Sequence, residues 1–158
     1  MSESGTGHKT MIERDPESLN VLSSILLPVA AGLETKIQAV YLHGSWGTGC
    51  VLEGSDIDLA ILAETRLGSD ERSRIFSAVY SAFGGDRNVD VSELFHADCV
   101  FSAQVVTKGQ RILTFDRDAA DRFEMLVLAK YARLNEERSG IVADIQRRGT
   151  VYLTGAAA

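Results

Sequence analysis

Apolar residues recur at helical spacing in the stretch that follows Asp15-Pro16-Glu17, where Val21, Leu22, Ile25, Leu26 and Val29 fall on one face. Aspartate followed by proline is a good helix start, because the fixed φ of proline suits the first helical position and its missing N–H is not needed there. Pro28 is expected to kink or end this helix. The period then changes. Lys36 to His43 is rich in strand formers (Ile37, Val40, Tyr41, Leu42) and runs into Gly44-Ser45, which predicts a core strand ending at a turn. Gly44, Gly47, Gly49 and Gly54 punctuate the connection before Asp56 to Ala63 (DIDLAILA) resumes as a strand. Ser69 is expected to cap a helix that has Asp70 and Glu71 in its first turn and Ile75, Phe76, Val79, Tyr80 and Phe83 on its apolar face, stopped by Gly84-Gly85. Asn88 to Phe95 predicts a third strand, Ala97 to Lys108 another helix, and Arg111 to Phe115 a short extended piece. Beyond Asp116, helical spacing runs through Phe123, Leu126, Val127, Tyr131 and Leu134, and Ile141, Val142 and Ile145 continue it past Ser139-Gly140. With no internal repeat, the pattern reads as an α+β domain, a small sheet covered by helices with a mainly helical C-terminal third.

Length and composition narrow the functional classes. A chain of 158 residues fits one domain, expected over residues 15–153, with residues 1–14 and 154–158 as flexible ends. Hydrophobic residues at 45% and charged residues at 24% exclude a disordered or disulfide-scaffold chain. The net charge of -6 provides no basic field for a phosphate backbone, so no direct nucleic-acid substrate is expected. The first fourteen residues lack the apolar stretch of a secretory signal. The longest apolar run, Ile25 to Leu33, is broken by Pro28 and Gly32 and falls short of the roughly 20 residues that span a bilayer, so no membrane segment is expected. Cys50 and Cys99 lack CxxC spacing and read as reduced thiols of a cytoplasmic protein.

Candidate chemistry lies where the first strand ends. Ten residues separate Gly44-Ser45 from Asp56-Ile57-Asp58. Two acids spaced two apart on a strand share a face. They repel each other, and on a strand made apolar by Leu59, Ile61 and Leu62 a solvated face is a poor explanation. A hard divalent cation such as Mg²⁺, which pairs a few carboxylates with substrate phosphates, is the better one. Asp90, flanked by Val89 and Val91, is the candidate third acid, since an unpaired carboxylate in an apolar strand is costly. Gly44 lets backbone N–H groups approach a phosphate, Ser45 adds a hydroxyl, and a short helix starting near Trp46 is expected to point its N-terminus at the anion.

The stretch LHGSWGTGCVLEGSDIDLAIL, with Val89-Asp90-Val91 as a later strand, resembles the minimal nucleotidyltransferase (MNT) family of the DNA polymerase beta nucleotidyltransferase superfamily. The signature of that family is Gly-Ser, ten residues, Asp-x-Asp and a later strand acid. VVTKGQRILTFDRDAADRFEMLVLAKYARL is similar, by general pattern, to the matching segment of antitoxins in HEPN/MNT toxin–antitoxin pairs. The family often has alanine and arginine where this chain has Gly47 and Thr48, a departure that puts an arginine contact to phosphate from the turn in question. The resemblance implies a nucleotidyltransferase-type fold and a two-metal site. Asp56 and Asp58 hold two Mg²⁺ ions, Asp90 completes the acceptor-side metal and takes the acceptor proton, and Gly44 with Ser45 steadies the β and γ phosphates. It further implies a type VII antitoxin that transfers AMP from ATP to a tyrosine of a cognate HEPN ribonuclease toxin. The alternatives are a small-molecule nucleotidyltransferase of the aminoglycoside-modifying kind, and an antitoxin that neutralises by binding alone.

Other polar residues carry weaker signals. His43 precedes the turn, where the family often has an apolar residue, and a structural role is expected for it. His8 and His96 have no expected role. Glu93 competes with Asp90 as third acid, but only Asp90 sits between two β-branched residues. Trp46 fits equally a stacking surface and a packing anchor. Lys108, Arg111, Lys130 and the Arg147-Arg148 pair are candidate contacts for a triphosphate or an acidic partner, and the sequence does not choose among them.

Overall fold

The computed structural model describes residues 11–13, 16–48, 50–52 and 54–149. In chain order the elements are β1 (Met11–Glu13), α1 (Pro16–Ala31), β2 (Ile37–His43), α2 (Gly44–Thr48), β3 (Cys50–Leu52), β4 (Ile57–Ala63), α3 (Ser69–Ala82), β5 (Val89–Glu93), α4 (Cys99–Lys108), β6 (Gln110–Thr114) and α5 (Arg117–Arg148). The main sheet has the order β5-β4-β2-β6. β2 runs antiparallel to both β4 and β6, whereas β4 and β5 are parallel and joined through α3. A crossover of this kind is what parallel neighbours require. β1 and β3 form a separate antiparallel pair. Residues 11–13, counted in the sequence with the N-terminal tail, therefore belong to a strand. The rest of that tail and residues 154–158 lie outside the described residues.

Alternation along β2 and β4 divides the core between the two faces of the sheet. Val40, Leu42, Ile57, Leu59 and Ile61 point to one side, where Leu22 and Leu26 of α1 and Ile75 and Val79 of α3 complete a buried cluster. Ala39, Tyr41, Ala60 and Leu62 point to the other, against Val105 of α4 and Ala120 of α5. Leu22 and Leu26 are 0% and 1% exposed, and burial of such side chains contributes about 1.5–3 kcal/mol each. α1 runs three residues past Pro28, and its end is closed where Gly32 N–H donates to the carbonyls of Pro28 and Val29. A proline this near the C-terminus removes only one late hydrogen bond.

α3 starts differently from the sequence expectation. Its N-cap is Gly68, with Ser69 as the first helical residue. The reason is Glu71, whose carboxylate accepts from Gly68 N–H (2.9 Å) and also from the N–H and hydroxyl of Thr35 (2.8 Å each). One acid thus closes the helix start and ties it to the segment leading into β2. On the opposite face, Tyr41 O–H donates to Glu124 (2.8 Å), and Arg111 of β6 pairs with Asp121 (2.9 Å) and Glu124 (3.5 Å), which fastens α5 to the sheet. Among the described residues no helix is long and apolar enough to cross a membrane. Cys99 is a free thiol, and the side chain of Cys50 lies outside the described residues.

Candidate active site

The C-terminal end of β2 and the N-terminal ends of β4 and β5 meet at one edge of the sheet. The registers pair His43 with Asp58 and Asp58 with Asp90. Paired residues on adjacent strands face the same way, so His43, Asp58 and Asp90 form a row across three strands, on the side covered by α4 and α5. Asp56 stands one position before β4, and the next N–H, from Ile57, donates to Asn88 O (2.9 Å). Asp56 is close enough to act on Asp58: the Asp58 carboxyl is held above the ordinary 3.8, chiefly by burial, with Asp90 and Asp56 adding to the rise and His43 opposing it. Asp90 also accepts from the Ser92 hydroxyl (3.1 Å).

Gly44 is required twice at this point. Its φ of +62° is left-handed, and a Cβ there would collide with the Asp58 carboxylate, whose Cγ lies 3.1 Å from the ideal position. The bare backbone of the turn thus lies directly against the second aspartate. α2 begins at Gly44 and not near Trp46, which places Gly44 and Ser45 in its first turn. Gly47 is equally confined: a Cβ would strike the Leu42 carbonyl and lie 3.2 Å from Gly109 Cα. The alanine that the resemblance leads one to expect there does not fit this backbone.

His43 is half-buried, its ring set edge-on to Phe101 (5.4 Å between centroids). Burial lowers its pKa, against the pull of Asp58 and Asp90, and its Nε2 is buried without a hydrogen-bond partner. Glu93 is engaged elsewhere, accepting from Leu67 N–H (2.6 Å) and pairing with Arg72. His96 is exposed and stacks edge-on with Phe95, and His8 lies outside the described residues. Of the cations singled out from sequence, Arg111 is committed to Asp121 and Glu124, and Arg147 and Arg148 both pair with Asp144. Lys108 and Lys130 are exposed. Trp46 is buried, 4% exposed, against Phe83. A basic residue that no local pattern marked, Arg87, lies over its ring.

The donor set fits a hard cation. Three carboxylates gather at one strand edge, and the most buried of them holds its proton more tightly, first because burial disfavours its charge and then because the other two repel it. Among the described residues, however, no group of three or more His, Cys, Asp or Glu side chains is drawn tightly enough to close around an ion. The arrangement is an open acidic edge next to a glycine turn, suited to gathering phosphate and cation together.

Such an edge, on a sheet of this order, is the plan of a nucleotidyl-transferring enzyme. The polymerase beta nucleotidyltransferase family matches residues 30–118, over half the chain and including the turn and all three aspartates, and the chain belongs to that family. Among individual proteins it is similar to the protein adenylyltransferase MntA of Shewanella oneidensis, 34% identical over 110 residues, which is 70% of this chain and 77% of that one. A toxin–antitoxin crystal structure with AMP-PNP matches with a TM-score of 0.63 at 30% identity, over 78% of this chain and 98% of the other. A tri-AMPylated Shewanella oneidensis HEPN toxin in complex with MNT antitoxin matches at a TM-score of 0.60 and 26% identity, over 81% and 98% of the two chains.

Proposed function

We propose that this nucleotidyltransferase is an Mg²⁺-dependent protein adenylyltransferase of the cytoplasm, an antitoxin that transfers AMP from ATP to a tyrosine of a cognate HEPN ribonuclease toxin and thereby silences it. The observation that carries the reading is the register pairing of Asp58 with Asp90, with Asp56 alongside, against the Gly44 backbone. Similarity to MntA and to the toxin-bound structures supports the choice of acceptor.

In this reading Gly44 and Ser45 would hold the β and γ phosphates, and Asp56 and Asp58, with Asp90 as a further ligand, would hold Mg²⁺. The bound ions supply neutralisation of phosphate charge and polarisation of the reacting oxygens. The acceptor phenol oxygen attacks the α phosphorus, the bond from that phosphorus to the bridging oxygen breaks, pyrophosphate leaves, and the phenolic proton passes to Asp90. β5 is an edge strand and Asp90 on it is exposed, which leaves the acid open to a docking protein.

The test is to incubate the chain with ATP, Mg²⁺ and a cognate HEPN toxin, and to follow intact mass and ribonuclease activity. The toxin should gain AMP on tyrosine, stay inactive after the antitoxin is removed, and recover when a phosphodiesterase strips the AMP. Full recovery on separation, with no mass change, would show that binding alone neutralises it.

A further inference from the structure

Arg87 lies in the connection between α3 and β5, and no step above uses it. Its guanidinium carbon is 5.2 Å from the centre of the Trp46 ring, and its Nη1 donates to the backbone oxygen of Ser55 at 3.4 Å. The side chain is partly buried, and among the described residues no carboxylate forms an ion pair with it. Each of its contacts adjoins a part of the site. Trp46 follows Ser45, Ser55 precedes Asp56, and Arg87 itself stands three residues before Asp90. Trp46 is in turn fixed edge-on by Phe83, with 5.7 Å between ring centroids.

We infer that Arg87 is a positioning residue of the transfer site: through Trp46 and Ser55 it fixes the phosphate-holding turn relative to the strand ends that carry Asp56 and Asp90. The inference rests on the adenylyl-transfer reading. The three segments lie on separate stretches of chain, and two are glycine-flanked connections with little stiffness of their own. A planar cation with several N–H groups is suited to joining them, because one face lies on the indole while an edge donates to a carbonyl. Displacement of a reacting group by about 1 Å costs on the order of 10²-fold in rate, so a residue that touches no substrate still governs turnover.

Trp46 is the sole tryptophan of the chain, and its fluorescence reports on this contact without reference to any acceptor. The experiment compares wild type with Arg87→Met, which keeps the stem without the charge, and Arg87→Lys, which keeps a cation over the ring. Arg87→Gln serves as a second neutral variant if Arg87→Met does not fold. Each is titrated with ATP and Mg²⁺ while Trp46 emission is followed, then assayed for AMP transfer with kcat and KM for ATP resolved. The neutral variants should lose the emission change and at least tenfold in kcat, and Arg87→Lys should recover most of both. Neutral variants that match wild type in emission and kinetics would overturn the inference. So would a lysine variant as defective as the neutral ones, since a cation over the ring would then not be what counts. A wild-type chain that answers ATP in emission yet never modifies the toxin refutes the adenylyl-transfer reading instead, and Arg87 is then judged on the emission titrations alone.

Discussion

Replacing Asp58 with asparagine should stabilise the metal-free protein while abolishing transfer. Adjacent strands lie about 4.8 Å apart, so carboxylates at the paired positions 58 and 90 are separated by about 5 to 6 Å. With an effective dielectric constant between about 20 and 80, Coulomb's law gives roughly 1 to 3 kcal/mol of repulsion for that pair. At about 2–4 °C per kcal/mol for a chain of this size, the variant should melt roughly 2 to 12 °C above wild type in low salt with a chelator present. The pH dependence has a definite sign. Because the folded-state pKa of Asp58 is raised above 3.8, the penalty in wild type is complete above the folded value, shrinks as pH falls through it, and is gone below 3.8. The two melting curves should therefore converge in acid. Added Mg²⁺ should raise the melting temperature of wild type, which binds it in the folded state, and leave the variant nearly unmoved. Melting scans across pH, with and without Mg²⁺, check all three. An asparagine variant that melts below wild type without metal, or one that still transfers AMP, would refute the reasoning.

Asp90→Asn should reduce kcat far more than it raises KM for ATP, whereas Glu93→Gln, which alters only the contacts to Leu67 and Arg72, should leave transfer unchanged; steady-state kinetics on both separates the two acids. Gly44→Ala should cost about 1–2 kcal/mol from its left-handed backbone and at least tenfold in transfer, because the new methyl displaces Asp58. Gly54→Ala, at φ +75° with nothing within 4 Å of the new carbon, should show the strain in melting without the loss of transfer. Glu71→Ala should destabilise the fold at neutral pH. Hydrogen bonds from Thr35 and Gly68 hold the Glu71 pKa below its ordinary 4.5, so that contribution is complete above 4.5 and disappears as pH falls through the folded value, and the two proteins should approach each other in acid denaturation.

Long periodic segments were legible in the chain because each carries its own apolar face. The core strands, α3 and the continuous α5 through Ser139-Gly140 all follow from spacing. The β1–β3 pair was not, since three residues are too few for an alternation to show. Ser69 has the right chemistry for an N-cap, yet Glu71 moves the boundary back one residue by taking up the Gly68 N–H, an outcome that depends on Thr35 lying nearby. In the candidate site, Asp56, Asp58, Gly44 and Ser45 stand out because the motif is local. The placement of Asp90 directly across from Asp58 depends on a parallel register that no local pattern encodes. Arg87 left no signal, because a lone cation in a polar connection looks solvated until the indole beneath it is known. Arg111 was singled out as a candidate contact, but its charge is spent on Asp121 and Glu124 of α5, a pairing that only the fold reveals.

The parallel pairing of β4 with β5 has a consequence for biosynthesis. A chain made from its N-terminus can fold β2 against β4 as soon as both have emerged, since antiparallel neighbours need only a short connection. The acid across from Asp58 arrives later, once α3 has formed and crossed over, and the far edge of β2 stays bare until α4 and β6 follow. A polypeptide interrupted before Val89 thus carries the whole Gly-Ser and Asp-Ile-Asp motif and still lacks the partner that the site is proposed to need. Competence is tied to synthesis of the chain through β5 and beyond, so copies terminated before that point would lack the proposed site however complete their local motif.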